Sequence, residues 1–311
     1  MHFTGTIWRP PYEAASLLIE ATAGCTHHRC KFCTLYDDLP FPFRMSPLED
    51  IESDLLEVQT MVHSPLDRLS AALRGQPQEH RFARAFLTGA NPFVLNAPRL
   101  EEIARLIGRY FPSCRSIGCF ARVTDIGLKT DGELESLRKA GYDGLTIGVE
   151  TGDPEALTFM DKGYTPEEVL KQCQRLDQAG IGYRFFYLTG ISGAGRGAQG
   201  ARKSAELFNR LHPQLIGSSM LTIYPESRLY QEIQAGRWTE PSELEKLNEL
   251  KTLIAHLEIP VVFAALGASN LFQFQGHLPE DREALFAQIE DVCHHMSEPE
   301  LREYRTTLRH L

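Results

Sequence analysis

The chain has 311 residues, of which 42% are hydrophobic and 23% charged, so it can fill the core of one large α/β domain. Its formal net charge of −9 disfavours nonspecific binding to nucleic acid or to an anionic membrane surface. No apolar run reaches the length of a membrane span, and residues 1–8 have neither the basic nor the apolar region of an export signal. The sequence therefore predicts a cytoplasmic protein.

Three cysteines lie close together near the start of the chain, in the stretch Gly24–Cys33. Clustered thiols in a chain without an export signal indicate a metal ion or an iron–sulfur cluster rather than disulfides. Because no fourth cysteine follows nearby, one coordination position would stay open for another ligand. The alternative is a zinc site in which His27 or His28 joins the three thiols. The thiols in question are Cys25, Cys30 and Cys33.

The four remaining cysteines are scattered through apolar surroundings, which is typical of buried core thiols. They are Cys114, Cys119, Cys173 and Cys293. No second cysteine-rich block follows, so the sequence predicts no auxiliary iron–sulfur cluster.

In chain order, an apolar strand-like run over residues 16–22 leads into the cysteine stretch. Residues 37–44 are rich in proline, which predicts an irregular link. A helix start follows at Ser46–Glu49, where a capping serine precedes a proline and a glutamate. Residues 64–78 are polar and marked by Gly and Pro, and we predict a mobile insertion there, of unknown role.

From residue 82 onward one unit recurs: an apolar strand, a loop, a capped helix and a glycine stop. Capping boxes begin helices at Thr130–Glu133 and Thr165–Glu168, and Gly141 and Gly180 end them. Strands that alternate with helices pair in parallel through right-handed crossovers. After the first run, the predicted strands cover residues 82–88, 116–121, 145–149, 183–188 and 215–223.

The tail departs from this unit. It predicts an amphipathic helix over residues 244–254, an extra strand at 261–266, an aromatic-rich loop at 271–276 and a final helix at 281–295. Polar residues of this tail are candidate substrate contacts, with ordinary loop polarity as the alternative. They are Ser269, Asn270 and His277.

The six strands predict an α/β fold, a partial (β/α)6 TIM-like barrel with a C-terminal α/β extension. Residues 1–230 would form the core barrel with its N-terminal lead-in, and residues 231–311 the extension that closes the barrel. A doubly wound open sheet is the alternative, but its G-x-G-x-x-G fingerprint is absent after the first strand. Barrel enzymes carry their chemistry at the C-terminal ends of the strands, where the unusual residues of this chain lie.

The cysteine stretch resembles the cluster loop of the radical SAM superfamily. That loop usually reads C-x3-C-x2-C, whereas this chain has C-x4-C-x2-C and an aromatic residue, Phe32, before the last cysteine. The opening Trp8–Tyr36 is similar to a subgroup with the longer spacing. Residues 147–165 resemble the fourth-strand motif of the anaerobic coproporphyrinogen oxidase, the Elongator catalytic subunit and the methylthiotransferases.

The resemblance implies a [4Fe-4S] cluster on Cys25, Cys30 and Cys33, with S-adenosylmethionine on the remaining iron. It also implies roles for residues at the strand ends. Gly89 and Ala90 would pair their backbone with the methionine amino group. The implied cofactor-binding set is Phe32, Gly89, Ala90, Arg122, Glu150, Lys162, Gly190, Ile191 and Tyr224.

In this resemblance, Glu150 would accept hydrogen bonds from the ribose or the ammonium of the cofactor. Lys162 or Arg122 would meet the cofactor carboxylate, and Gly190–Ile191 would lie against adenine. The alternatives are a solvated surface lysine at 162, and an ion pair of Arg122 with Asp125 or Glu150. Tyr224 begins the Pro-rich turn after the sixth strand.

The implied activity is that of a radical SAM enzyme: a reduced cluster cleaves S-adenosylmethionine, and a 5′-deoxyadenosyl radical abstracts hydrogen from substrate. A small-molecule substrate and an external electron donor of the flavodoxin or ferredoxin type are expected, and nucleic acid is disfavoured. No residue that quenches the substrate radical can be named. The alternative function is a zinc-stabilised barrel that acts as a non-redox binding protein.

Overall fold

The computed structural model describes residues 1–62, 65–75 and 82–308, without the side chains of residues 65–68. The strands are β1 Leu17–Glu20, β2 Thr22–Gly24, β3 Phe43–Met45, β4 Arg84–Thr88, β5 Ser116–Ala121, β6 Tyr142–Glu150, β7 Tyr183–Thr189, β8 Leu215–Met220, β9 Val261–Ala265 and β10 Phe274–Leu278. The helices are α1 Leu48–Val62, α2 Pro65–Leu73, α3 Ala97–Tyr110, α4 Val123–Gly127, α5 Asp131–Lys139, α6 Pro154–Phe159, α7 Pro166–Ala179, α8 Gly197–Phe208, α9 Arg228–Gln234, α10 Glu243–His256, α11 Arg282–His295 and α12 Glu298–Thr307.

Eight strands form one sheet in the order β1-β4-β5-β6-β7-β8-β9-β10, and β2 and β3 form a separate ribbon. β1 pairs with β4, β4 with β5, β7 with β8 and β8 with β9 in parallel, whereas β10 is antiparallel to β9. The spatial order follows the chain order without the reversal that defines a doubly wound sheet. The sheet is open, ending at β1 and β10, so the predicted partial barrel with a C-terminal extension is confirmed.

The first of two compact units comprises Met1–His28, Tyr36–Thr146 and Gln178–Ile181. Its core is formed by buried residues of β1, β4, β5 and α3, among them Ile19, Phe86 and Leu100. The capping box of α5 is present as predicted, because Thr130 and Glu133 each bond the backbone N–H of the other.

The second unit comprises Arg29–Leu35, Ile147–Asp177 and Gly182–Leu311. Side chains of β7 alternate between buried and half-buried, as expected for a strand. A hydrophobic cluster of five buried side chains lies beside Phe32 in this unit. It consists of Met160, Ile191, Leu221, Leu229 and Trp238. The predicted division at residue 230 stays a prediction.

Three local expectations are wrong. The Pro-rich link contains β3, which pairs with β2. The aromatic-rich loop runs into β10, and a further helix, α12, follows the one predicted as final. The mobile insertion at 64–78 stays a prediction: Pro65–Leu73 within it forms α2, and residues 64 and 76–78 lie outside the described residues.

The scattered cysteines follow their prediction in three of four cases. Cys114, Cys119 and Cys173 are buried, but Cys293 is exposed on α11. Among the described residues, no helix is long and apolar enough to cross a membrane.

Candidate functional site

The first loop cysteine, Cys25, directly follows β2 in the first unit. The Cys25 N–H donates to the Pro42 carbonyl over 2.8 Å. Gly24 has a φ of +78°, and a Cβ there would lie 2.2 Å from the Pro42 oxygen, so glycine alone allows this approach. The segment expected to be an irregular link therefore positions the backbone of Cys25.

The other two loop cysteines lie in the second unit, where the Cys33 N–H donates to the Cys30 carbonyl over 3.1 Å. Lys31, between them, donates its backbone N–H to the Met160 carbonyl over 3.1 Å. The Lys31 carbonyl accepts from the N–H of Leu229, on α9, over 2.7 Å. Backbone hydrogen bonds on both sides thus fix the turn that carries Cys30 and Cys33.

A buried amide and a buried carboxylate lie beside the first cysteine in the first unit. Asn91 Nδ2 donates to Thr26 Oγ1 over 2.8 Å, and the Thr26 N–H donates to Asn91 Oδ1 over 3.3 Å. The same Nδ2 lies 3.1 Å from Asp125 Oδ2, which accepts the backbone N–H of Arg122 over 2.8 Å. Because Thr26 directly follows Cys25, this network fixes the backbone next to the first thiol.

Asn91 is a site residue that the sequence did not predict, and Asp125 was predicted only as an ion-pair partner of Arg122. The Arg122 guanidinium donates to Thr124 Oγ1 over 3.1 Å. Burial raises the pKa of Asp125 to about 6, against the hydrogen bonds from Arg122 and Asn91 that lower it. Binding of a cofactor carboxylate by Arg122 stays a prediction.

The predicted glycine segment after β4 has a local structural reason. Gly89 has a φ of +123°, and a Cβ there would lie 2.1 Å from Thr22 Oγ1 and 2.4 Å from Thr22 O. The Thr22 hydroxyl is buried and has no hydrogen-bond partner within the part of the chain that the structure describes. A polar ligand beside Gly89 would satisfy this hydroxyl. Ala90 is half-buried, and the backbone contact of both residues with a cofactor stays a prediction.

At the end of β6, in the second unit, Glu150 and Lys162 form a buried ion pair. Lys162 Nζ lies 3.1 Å from Glu150 Oε1, and their side chains are only 6% and 14% exposed. The ammonium also lies 5.6 Å from the ring centroid of Phe32 and 5.4 Å from that of Tyr164. The alternative of a solvated surface lysine is therefore wrong.

The backbone of this segment is adapted to the ion pair. Glu150 has a φ of +66°, which non-glycine residues rarely adopt and which is common at functional sites. Gly148 leaves room for the folded-back side chain, because a Cβ there would lie 2.7 Å from Glu150 Oε1. The Gly148-Val149-Glu150 sequence thus directs a carboxylate to the end of β6.

Beside this ion pair is a cavity of about 230 Å³, lined entirely by residues of the second unit. Three residues of the predicted cofactor set line it together with one predicted cluster ligand, and the rest of the lining comes largely from β7, β8 and the chain after β8. The lining residues are Phe32, Cys33, Thr34, Leu35, Glu150, Phe186, Tyr187, Leu188, Ser219, Met220, Leu221, Thr222, Tyr224 and Ser269.

Other predicted residues of this unit lie outside that lining. Gly190 donates its N–H to Glu249 Oε2 over 2.9 Å, and Ile191 packs in the hydrophobic cluster. Of the candidate substrate contacts, Ser269 lines the cavity. Asn270 is buried and donates to the Ser218 carbonyl, and His277 is exposed on β10. Contact of Gly190 and Ile191 with adenine stays a prediction.

Sequence reasoning also missed Glu249, a fully buried carboxylate on α10. Its Oε1 accepts from the Tyr187 hydroxyl over 2.6 Å, and its Oε2 accepts from Gly190. Burial raises the pKa of Glu249 to about 7, although these hydrogen bonds and Lys246 lower it. Glu249 thus joins the end of β7 to α10 through a carboxylate that titrates near neutrality.

This carboxylate predicts a pH dependence of stability. Because its pKa is raised on folding, the folded state binds the proton more tightly and loses stability as pH rises from about 4.5 to about 7. Burial of Asp125 acts in the same direction. We expect Glu249 to lower the free energy of unfolding by roughly 3 kcal/mol over this pH range. Urea denaturation of wild type and Glu249→Gln across this range checks it, and an equally steep decrease in the variant would contradict it.

The helix α12, which the sequence did not predict, also reaches the cavity wall. Arg305, on α12, donates through Nη2 to the Leu221 carbonyl over 2.7 Å and through Nη1 to the Ser269 carbonyl. Its Nε lies 3.5 Å from the buried Glu243 carboxylate. Since Leu221 and Ser269 both line the cavity, the buried Arg305 guanidinium shapes its wall.

Comparison with known protein families shows which family the chain belongs to. The model of the Radical SAM superfamily matches residues 19–195, which is more than half of the 311-residue chain and includes all three loop cysteines. The chain belongs to the radical SAM superfamily. A search of curated protein sequences returned no match.

Solved structures show the radical SAM fold in proteins of low sequence identity. Coproporphyrinogen III oxidase (HemN) from Escherichia coli is 18% identical, with a TM-score of 0.54 over 78% of this chain and 52% of its own. Methylornithine synthase (PylB) is 14% identical, with a TM-score of 0.52 over 94% and 85%. The methyltransferase TsrM from Kitasatospora setae is 19% identical, with a TM-score of 0.52 over 71% and 39%. The chain thus spans about two fifths of TsrM and half of HemN.

Membership of the radical SAM superfamily gives the protein its two cofactors, a [4Fe-4S] cluster and S-adenosylmethionine. The residues present fit them: three thiols would supply soft donors and would leave one iron of a cubane without a protein ligand. In the first unit, the buried Thr22 hydroxyl offers a polar contact to a ligand. In the second unit, the cavity beside Cys33 offers apolar contacts to a ligand. Within the described residues, no group of three or more His, Cys, Asp or Glu is arranged to hold a single metal ion.

Proposed function

We propose that Cys25, Cys30 and Cys33 hold the [4Fe-4S] cluster and that the protein cleaves S-adenosylmethionine reductively to abstract hydrogen from a small-molecule substrate. The observation that carries this proposal is the cavity of about 230 Å³ shared by Cys33, Glu150 and Tyr224. When bound, the two cofactors would supply an electron and a 5′-deoxyadenosyl radical.

The protein residues would bind, orient and exclude water. Glu150 Oε1 accepts a hydrogen bond from the Lys162 ammonium. The other carboxylate oxygen would accept a hydrogen bond from a ribose hydroxyl or an ammonium group of the cofactor. Apolar side chains from the ends of β7 and β8 line the space beside it and would keep water from the reacting groups. Arg305 would preserve the shape of this space through the carbonyls of Leu221 and Ser269.

The predominantly apolar lining with a few hydroxyl groups supports a small organic substrate. The net charge of −9 supports the same choice over nucleic acid. An external one-electron donor of the flavodoxin or ferredoxin type would reduce the cluster.

Anaerobic reconstitution tests the proposal. We expect about four irons per chain and, with dithionite, formation of 5′-deoxyadenosine. Alanine at Cys25, Cys30 or Cys33 should abolish both, whereas Cys293→Ala is the matched control, because the Cys293 thiol is exposed on α11 and should leave both unchanged. Iron-replete wild type that forms no 5′-deoxyadenosine would contradict the proposal. Stoichiometric zinc instead of iron would favour a zinc-stabilised binding protein, which superfamily membership does not support.

A further inference from the structure

A buried amide oxygen without a hydrogen-bond partner lies next to the wall of the cavity beside Cys33. Asn270 is 4% exposed, and its Nδ2 donates to the Ser218 carbonyl over 2.9 Å and to the Gly267 carbonyl over 3.2 Å. These two bonds fix which atom of the amide is the oxygen. Within the part of the chain that the structure describes, Asn270 Oδ1 has no partner. Because a buried acceptor without a donor costs free energy, a donor supplied by a ligand would stabilise this arrangement.

The amide of Asn270 and a hydroxyl of the cavity wall lie next to the same glycine. A Cβ on Gly267 would lie 2.7 Å from Ser219 Oγ and 3.5 Å from Asn270 Nδ2. Ser219 lines the cavity, as does Ser269, which directly precedes Asn270 in the chain. The end of β8 and the tail thus bring a hydroxyl and an amide together at the edge of the cavity. We call Ser219 and Asn270 the polar pair.

The same wall offers no unpaired charge to a substrate. Glu150 is the only Asp, Glu, Lys, Arg or His among the described residues that line the cavity, and it is paired with Lys162 at 3.1 Å. Behind the wall, the Arg305 guanidinium donates to two backbone carbonyls and lies 3.5 Å from the Glu243 carboxylate. A carboxylate or an ammonium group of a substrate would lose hydration against this wall without gaining an opposite charge.

We infer that Ser219 and Asn270 determine specificity for a substrate that carries an uncharged polar group, an alcohol or a primary amide, on an apolar body. This inference rests on the proposed function, because it takes the cavity as the place where hydrogen is abstracted. The uncharged group would donate to Asn270 Oδ1 and accept from the Ser219 hydroxyl, which gives both members of the polar pair a partner. Phe186 and Leu188, which also line the cavity, would contact the apolar body.

Probes of similar size but different charge test this class of substrate without turnover. Benzyl alcohol, ethylbenzene, benzoate and benzylamine are titrated by ligand-observed NMR into reconstituted enzyme with S-adenosylmethionine and no reductant, so that no cleavage occurs. We expect wild type to bind benzyl alcohol about tenfold more tightly than benzoate or benzylamine. Tighter binding of either ion than of the alcohol would overturn the inference, as would a lack of binding by all the probes.

Substitution of the polar pair identifies the residues responsible. Ser219→Ala should weaken binding of benzyl alcohol about fivefold and leave ethylbenzene unchanged, because the two probes differ only in a hydroxyl and a methyl group. Asn270→Ala should act in the same way, and Ser219→Ala decides alone if urea denaturation shows that Asn270→Ala does not fold. Asn248→Ala is the matched control, since Asn248 is exposed on α10 in the same unit. An equal loss for both probes would indicate a purely structural role and overturn the assignment.

Turnover gives a second readout. A cell extract is separated by ion exchange into uncharged, anionic and cationic small molecules, and each fraction is added to the enzyme with dithionite. Only the uncharged fraction should increase 5′-deoxyadenosine formation, and Ser219→Ala should reduce that increase. Stimulation by an ionic fraction alone would overturn the inference. Probe binding as expected in a wild type that forms no 5′-deoxyadenosine would refute the proposed function and leave the polar pair supported.

Discussion

Glu150→Gln is expected to lower dithionite-driven 5′-deoxyadenosine formation by roughly 100-fold, which is the size of effect seen when one preorganised polar group is removed from an active site. The same change should lower the free energy of unfolding by about 3 kcal/mol, because it leaves the buried Lys162 ammonium without its charged partner. Product analysis by chromatography and urea denaturation of the apo-protein measure the two effects separately.

A double-mutant cycle identifies the ion pair as the cause of the instability. Lys162→Met alone should destabilise by a similar amount, whereas Glu150→Gln/Lys162→Met should recover most of the loss, since neither charge is then buried alone. Glu155→Gln is the matched control, because the Glu155 carboxylate is 66% exposed and pairs with Arg196 at 2.7 Å. We expect this change to lower the free energy of unfolding by less than about 0.5 kcal/mol. Coupling between Glu150 and Lys162 no larger than this control would contradict the buried pair.

The parts of the fold that the sequence predicts are those encoded locally. Capping boxes such as Thr130–Glu133 and glycine stops such as Gly141 fix helix ends within a few residues, and apolar runs fix the strands between them. Alternation of strands and helices then implies parallel pairing. The strand order follows because consecutive parallel strands tend to be neighbours.

Of the elements that the sequence did not predict, β3 depends on a distant partner, whereas β10 and α12 carry local signals of their own. β3 has three residues, and its strand conformation follows from antiparallel pairing with β2 rather than from its own Phe-Arg-Met sequence. β10 shows alternating burial, and this period of two is present in Phe274–Leu278. α12 begins with a capping box at Ser297 and Glu300, which is a local signal for a helix start.

Much of the candidate site could not be read from sequence, because its contacts join residues far apart in the chain. Lys162 looks like a surface residue until its partner, Glu150, is placed 3.1 Å away. Glu249 lies on the buried face of α10, which also buries the charged residues Glu243 and Lys246, and the helical pattern of apolar residues does not explain them. Its partner Tyr187 is 62 residues away in sequence, so only the tertiary structure assigns its role.

Asn91→Ala is expected to have the largest effect of any change outside the thiols and the Glu150–Lys162 pair. The substitution removes an amide that bonds the Thr26 hydroxyl, the Thr26 backbone N–H and the Asp125 carboxylate. All three groups belong to the first unit. Asp125 is 1% exposed, and a buried carboxylate that loses a donor pays its desolvation cost with fewer hydrogen bonds. We expect the free energy of unfolding to fall by about 3 kcal/mol.

The loss of iron is the more specific consequence, since Thr26 directly follows Cys25. After anaerobic reconstitution, Asn91→Ala should retain less than about half of the roughly four irons expected for wild type and should lose them faster to a chelator. Asn96→Ala is the matched control: Asn96 caps α3 by accepting the Arg99 N–H over 2.9 Å, and its loss should cost about 1 kcal/mol without loss of iron. Asn91→Asp should lower iron content and stability more than Asn91→Ala does, because it places a second carboxylate against Asp125. If Asn91→Ala kept its iron as well as Asn96→Ala does, the network would stabilise the fold without positioning the first thiol.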